Sequence, residues 1–229
     1  MATRAHIDRH YDEELQGLRN HLLEMGGLVE KQIADAIRAL VERDDEFARL
    51  IIERDRTVNR MEVQIDDLCL RLLALHQPAA RDLRLITTAL KITTDLERAG
   101  DMAENICERV LELSREPQLK PLIDLPRMAA VAQGMLRQSL DAFVREDTEL
   151  ALQVCHQDDE VDGLADQLLR ELLTFMLEDP HTISRALRLI FISKYLERLA
   201  DHATNIAEMV IFMVKGKSIR HMDRPPPTL

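Results

Sequence analysis

The chain of 229 residues has no Trp, and its aromatics amount to 3% of the total. Its interior must therefore be built from Leu, Ile, Ala, Val and Met, the vocabulary of packed helices. With only 7 Gly, folds rich in strands and tight turns are disfavoured. The 3 cysteines, Cys69, Cys107 and Cys155, stand far apart inside helical patterns, with no C-x-x-C and no Cys/His ligand spacing. An odd, scattered set argues against a disulfide framework and fits buried free thiols in a reducing compartment. No run approaches 18 uncharged apolar residues, and the opening MATRAHIDRHYDEEL has no apolar core of a signal peptide. A cytoplasmic location is expected. Positive charge is also in deficit: the formal net charge is −11, which repels nucleic acids and anionic membranes and attracts cations.

Proline marks the joints. Pro78, the group Pro117, Pro121 and Pro126, then Pro180, and finally Pro225 to Pro227 are the prolines of the chain, and helical periodicity fills the stretches between them. Asp44 can cap a new helix after Val41 and Glu42. The same pattern returns at Asp147, an offset of 103, and Asp55 and Val58 return as Asp158 and Val161. After Pro180 the offset falls to 100, where DLERAGDMAENI at 95–106 is matched by YLERLADHATNI at 195–206. Blocks matching in order, with one length change in a loop, indicate an internal duplication.

The expectation is an all-α protein of six helices, near 3–42, 45–76, 79–115, 124–145, 147–178 and 181–216. They form two tandem three-helix bundles related by a pseudo-twofold, over 1–118 and 122–217, with a loose tail at 218–229. Gly26 and Gly27 fall inside the first helix, where close helix packing explains them better than a hinge.

The duplicated blocks carry acids on a four-residue step. Taken at 100° per residue, Glu97, Asp101, Glu104 and Glu108 fall in a stripe roughly 130° from the core direction, and Glu197, Asp201, Thr204 and Glu208 occupy the equivalent stripe. A second stripe, Asp55, Asn59, Glu62 and Asp66, runs along helix 2. In helix 5, Asp158 and Asp162 remain while Ala165 and Leu169 replace the later acids. Like charges at this spacing destabilise an isolated helix. Either the stripes are solvated faces balanced by arginines such as Arg98 and Arg198, or they converge across a seam to hold a metal. Carboxylates with an Asn and no thiolate suit Mg, Mn, Ca or Fe. His202 points about 100° away from the Glu197/Asp201 stripe, as an exposed or supporting residue would.

The run PAARDLRLITTALKITTDLERAGD (78–101) and YLERLADHATNIAE (195–208), with HYDEEL (10–15), VNRME (58–62) and DEVD (159–162), resemble the PhoU family of phosphate-uptake regulators. The resemblance spans about 5–215 and implies two symmetry-related bundles bearing multinuclear metal clusters on E-x-x-x-D motifs. Their ligands would include Glu97 and Asp101, Glu197 and Asp201, and more weakly Asp55, Asp158 and Asp162; the metal would be Mg, Mn, Fe or Zn. It also implies a non-catalytic, cytoplasmic negative regulator of the phosphate regulon that couples a phosphate ABC transporter, through its ATPase subunit, to a sensor histidine kinase. A homodimer that meets the membrane only through protein partners, and binds no nucleic acid, is expected. Ala200 stands where the family has Gly, and Tyr195 stands where the first block has Asp95, which leaves open whether the two clusters share one ligand set.

Two other readings compete. A metal-free helical scaffold is compatible with the same pattern. A carboxylate metal-storage or di-iron protein needs inward E-x-x-H pairs, and the one such spacing, Glu178 to His181, is broken by Pro180. No glycine-rich phosphate loop, nucleophile–base pair or basic pocket for free phosphate stands out.

Overall fold

In the computed structural model, which describes residues 2–219 and side chains from residue 10 onward, the chain is six long helices with no strand among the described residues. They are α1 (Ala2–Glu42), α2 (Asp45–His76), α3 (Ala80–Leu113), α4 (Asp124–Arg145), α5 (Thr148–Glu178) and α6 (Ile183–Lys215). These bounds lie within about three residues of the expected ones. The one addition is a short 3-10 turn, Pro180–Thr182, where the last helix was expected to begin. Pro180 cannot donate to a preceding turn, so the helix proper waits until Ile183. Of the tail expected over 218–229, residues 220–229 lie outside the described residues.

Local chemistry sets the breaks. Asp44 Oδ1 accepts from the Phe47 amide at 2.9 Å, and Asp147 Oδ1 accepts from the Glu149 and Leu150 amides at 3.0 Å. Each caps the helix that follows, satisfying amides that the first turn would leave bare. The residue before each cap, Arg43 (φ 59°) or Glu146 (φ 54°), turns the chain through the left-handed region. Gly216 (φ 67°) closes α6 in the same conformation.

Helices α1, α2 and α3 pack on one another, as do α4, α5 and α6, giving two three-helix bundles. Across the molecule α3 packs on α6 and α1 on α4. Equivalent helices therefore meet each other, as a twofold relation demands. The buried apolar residues of both repeats form one continuous core. Fully buried side chains include Leu22, Ile33, Ile65, Ile92, Leu96 and Phe143. Cys69, Cys107 and Cys155 are free and buried, and burial pushes the Cys69 and Cys107 thiols up to about 12.

The adjacent glycines of α1 separate cleanly. A Cβ at Gly26 would stand 2.2 Å from Leu140 Cδ1 of α4, so this position lets α1 and α4 approach closely; a Cβ at Gly27 would meet nothing within 4 Å. Gly27→Ala should stabilise the protein by about 1 kcal/mol through helix propensity alone. Gly26→Ala gains the same propensity but overpacks Leu140. Urea unfolding should place it at least ~1 kcal/mol below the Gly27 variant; equal stability would mean the α1–α4 contact is looser than it looks.

Candidate metal centre

The seam between α2 and α3 gathers acids from both helices. Oxygens of Asp55, Asp101 and Glu104 lie within 4.8 Å of one another. Asp55 is 6% exposed, deeper than its place beside the apolar line of α2 suggests. Its Oδ2 accepts from Asn59 Nδ2 at 3.0 Å, while its Oδ1 is buried without a partner. Gln32 of α1, 8% exposed, brings a second orphan, Oε1. Both oxygens face the same spot: a Cβ added at Gly100 would lie 3.3 Å from Asp55 Oδ1 and 3.6 Å from Gln32 Oε1. A glycine here lets α3 come close enough for three helices to present oxygens together.

Electrostatics mark the cluster as short of positive charge. Burial, then the Asp101 carboxylate, pushes the Asp55 carboxyl above the usual range. Glu104 is raised by burial and by Asp55, and Glu97 by burial, Asp101 and Glu62. Glu62 and Asp66 are raised chiefly by burial as well. Arg98 lies 3.6 Å from Glu97 and 3.7 Å from Asp101, but it is more than half exposed and its charge is spread into water. Two orphaned oxygens and mutually repelling carboxylates are what a cation would satisfy. The donors are all oxygen, a set that suits Mg, Mn, Ca or Fe.

Of the ligands expected from the sequence, Asp101 and Asp55 stand in this group of three carboxylates, while Glu97, expected as a ligand with Asp101, stands beside it. The expected set left out Glu104 and Gln32. Glu104 was visible on the same stripe as Glu97; Gln32 could have been noticed as a polar residue in the apolar row Val29, Ile33 and Ala36.

In the second repeat the predicted residues stand differently. Glu197 is half-buried, Asp158 is half-buried, and Asp162 and Asp201 are exposed. They still sense each other: burial and then Glu197 raise both Asp162 and Asp201. Among the described residues no three of these acids gather as closely as the first group does. Asp95 and His202 belong to neither cluster. His202 Nδ1 lies 2.8 Å from Asp95 Oδ1, and Asn205 Nδ2 donates to the same oxygen at 3.3 Å, so they join α3 to α6. Tyr195 thus stands at the position whose counterpart, Asp95, makes the α3–α6 contact.

A cavity of about 480 Å3 between the repeats brings Arg19, Arg81 and Arg84 near one another. Its arginines are engaged: Arg19 and Arg81 donate to Glu146 at 3.1 and 2.5 Å, and Arg84 Nε to the Met213 carbonyl at 2.9 Å. Asp12 and Asp82 share the wall, so the cavity is no anion cradle.

Fold and site together define a duplicated helical-bundle protein with an acidic cluster between helices and no recognisable catalytic constellation among the described residues. A family model described as "PhoU domain" matches residues 22–110 and 125–210, and the chain belongs to the PhoU family. The matched segments begin 103 residues apart and end 100 apart, the same offsets as the sequence blocks. The chain is 45% identical over 218 residues to the phosphate-specific transport system accessory protein PhoU homolog of Pseudomonas aeruginosa, covering 95% of this chain and 90% of that one. It is 38% identical over 217 residues to the PhoU of Escherichia coli, again covering 95% and 90%. The crystal structure of PhoU from Pseudomonas aeruginosa superposes with a TM-score of 0.87, covering 90% of this chain and all of that chain, at 45% identity. The phosphate transport system regulatory protein PhoU from Streptococcus pneumoniae superposes at 0.85 and 31% identity, covering 91% and 98%. No helix among the described residues is long and apolar enough to cross a membrane.

Proposed function

We propose that this protein is an accessory and regulatory component of a phosphate-specific transport system. The observation that carries the reading is likeness across 95% of the chain to proteins of that name, spanning both repeats. On this reading it acts in the cytoplasm without catalysis. It restrains the phosphate regulon when phosphate is plentiful, and couples the transporter's ATPase subunit to a sensor histidine kinase, as a homodimer. Metal bound to the carboxylate clusters ties helices together so that partners meet one rigid surface; the second-repeat acids Asp158, Asp162, Glu197 and Asp201 form the second site. Two features support a metal: orphaned buried oxygens on Gln32 and Asp55, and carboxylates raised by burial and then by one another's charge.

Deletion of the gene is expected to turn on a phosphate-starvation reporter in phosphate-rich medium, with repression restored by the wild-type gene. Normal repression in the deletion strain, with no second copy of the gene present, would overturn the regulatory reading.

A further inference from the structure

The duplication allows the two clusters to be compared position by position. At the offset of 103, Gln32 corresponds to Met135, Asp55 to Asp158, Asn59 to Asp162 and Glu62 to Ala165; at 100, Gly100 corresponds to Ala200, Asp101 to Asp201 and Glu104 to Thr204. Two of the oxygen donors that make the first cluster deep, Gln32 and Glu104, therefore have no carboxylate or amide counterpart. Met135 is fully buried and presents a thioether, and Thr204, 5% exposed, offers a single unpartnered hydroxyl oxygen that carries no charge in place of the Glu104 carboxylate. Ala200 adds a methyl at the place where a Cβ in the first repeat would crowd Asp55 and Gln32.

A further difference is a cation. The Lys194 ammonium makes a close ion pair with Glu197 Oε2, and its counterpart in the first repeat is Thr94, whose hydroxyl turns back to the Leu90 carbonyl. Asp162 and Asp201 also feel burial and Glu197, but both are exposed by area, so a metal there replaces more water than one facing Asp55, which is 6% exposed with one oxygen unpartnered. Lys194 must also give up Glu197 before that carboxylate can serve as a ligand.

We infer that the two repeats hold unequal metal sites: a tight one on Gln32, Asp55, Asp101 and Glu104, and a weak, exchangeable one on Asp162, Glu197 and Asp201 that Lys194 partly neutralises. This rests on the metal reading above and takes up the difference between the two ligand sets that the sequence left open. The weak site would fill and empty as the free metal concentration changes, while the tight one stays loaded.

The test is a titration of chelator-treated, full-length protein with Mn2+, followed by calorimetry and by the spin-resonance signal of free Mn2+, with circular dichroism to verify folding. One site is expected at least about tenfold tighter than the second. Asp55→Asn combined with Glu104→Gln should abolish the tight site and leave the weak one. Lys194→Thr, a change on an exposed helix face to the residue of the first repeat, should tighten the weak site roughly fivefold and leave the tight one unchanged. Gly100→Ala should weaken the tight site alone. Two sites of equal affinity would overturn the inference while leaving the metal reading intact. A weak site unmoved by Lys194→Thr would remove Lys194 from it. No Mn2+ binding at all would overturn both.

Discussion

Asp55→Asn is expected to raise the melting temperature of the metal-free protein and to lower that of the metal-loaded protein. Asp55 is buried, one of its oxygens has no partner, and its neighbours Asp101 and Glu104 are of the same charge. Asn keeps the shape and can still accept from Asn59, but carries no charge to desolvate. The metal-free gain should be about 1 kcal/mol, or roughly 2–4 °C for a chain of this length. With a cation at a hundredfold excess over its dissociation constant, the wild type gains about 2.7 kcal/mol, most of which the variant forfeits.

The sign of the pH dependence follows from the raised carboxyl. An acid held above its unfolded value in the native state contributes stability that is present below about pH 4 and is lost as pH rises through the native value. At low pH the wild-type Asp55 is protonated and behaves like Asn, so the two metal-free proteins should melt together. As pH rises, the wild type should fall behind. Calorimetry from pH 4 to 8, with chelator and with Mn2+ on the same preparations, checks this. A variant that is less stable than the wild type without metal at pH 7 would show that the Asp55 charge is satisfied by protein groups.

What the sequence disclosed and what it withheld divide along one physical line. Joints and caps are local: Pro78 and Pro180 stop helices by their own geometry, and Asp44 and Asp147 cap by reaching amides two or three residues on. Those features were legible, as was the duplication that pairs α1 with α4 and α3 with α6. The helix period also placed Glu97, Asp101 and Glu104 on one face of α3. Which of them meets a partner depends on where α1 and α2 cross that face, and periodicity within one helix holds no such information. Asp55 looked peripheral because a single helix has one apolar line; with α3 against it, the flank of that line becomes the interior. Gln32 was hidden for the same reason, since its oxygen matters only when α1 lies over Gly100. His202 shows the converse: placed away from the acidic stripe by the helix period, it finds its partner Asp95 on the other repeat.

Phe143→Ala should produce the largest loss of stability of any single change considered. The chain has only 5 Phe and no Trp, and Phe143 on α4 is fully buried among Leu, Ile and Met side chains of one continuous core. Truncating a buried Phe leaves a cavity that the surrounding helices fill only in part, at about 3–5 kcal/mol. That is a large share of the roughly 5–15 kcal/mol by which domains are stable, and corresponds to a drop on the order of 6–20 °C. Leu40 occupies the equivalent position in the first repeat and is itself buried, so Phe143→Leu copies a packing that the duplicated fold already accommodates. It should cost less than about 1.5 kcal/mol. Because the buried residues of α1 and α4, and of α3 and α6, belong to one core, the loss should lower a single cooperative transition. Urea unfolding followed by circular dichroism, with proteolysis at intermediate denaturant, distinguishes the alternatives. A second repeat that melts by itself while the first remains folded would show that the α1–α4 and α3–α6 contacts are too weak to unite the bundles.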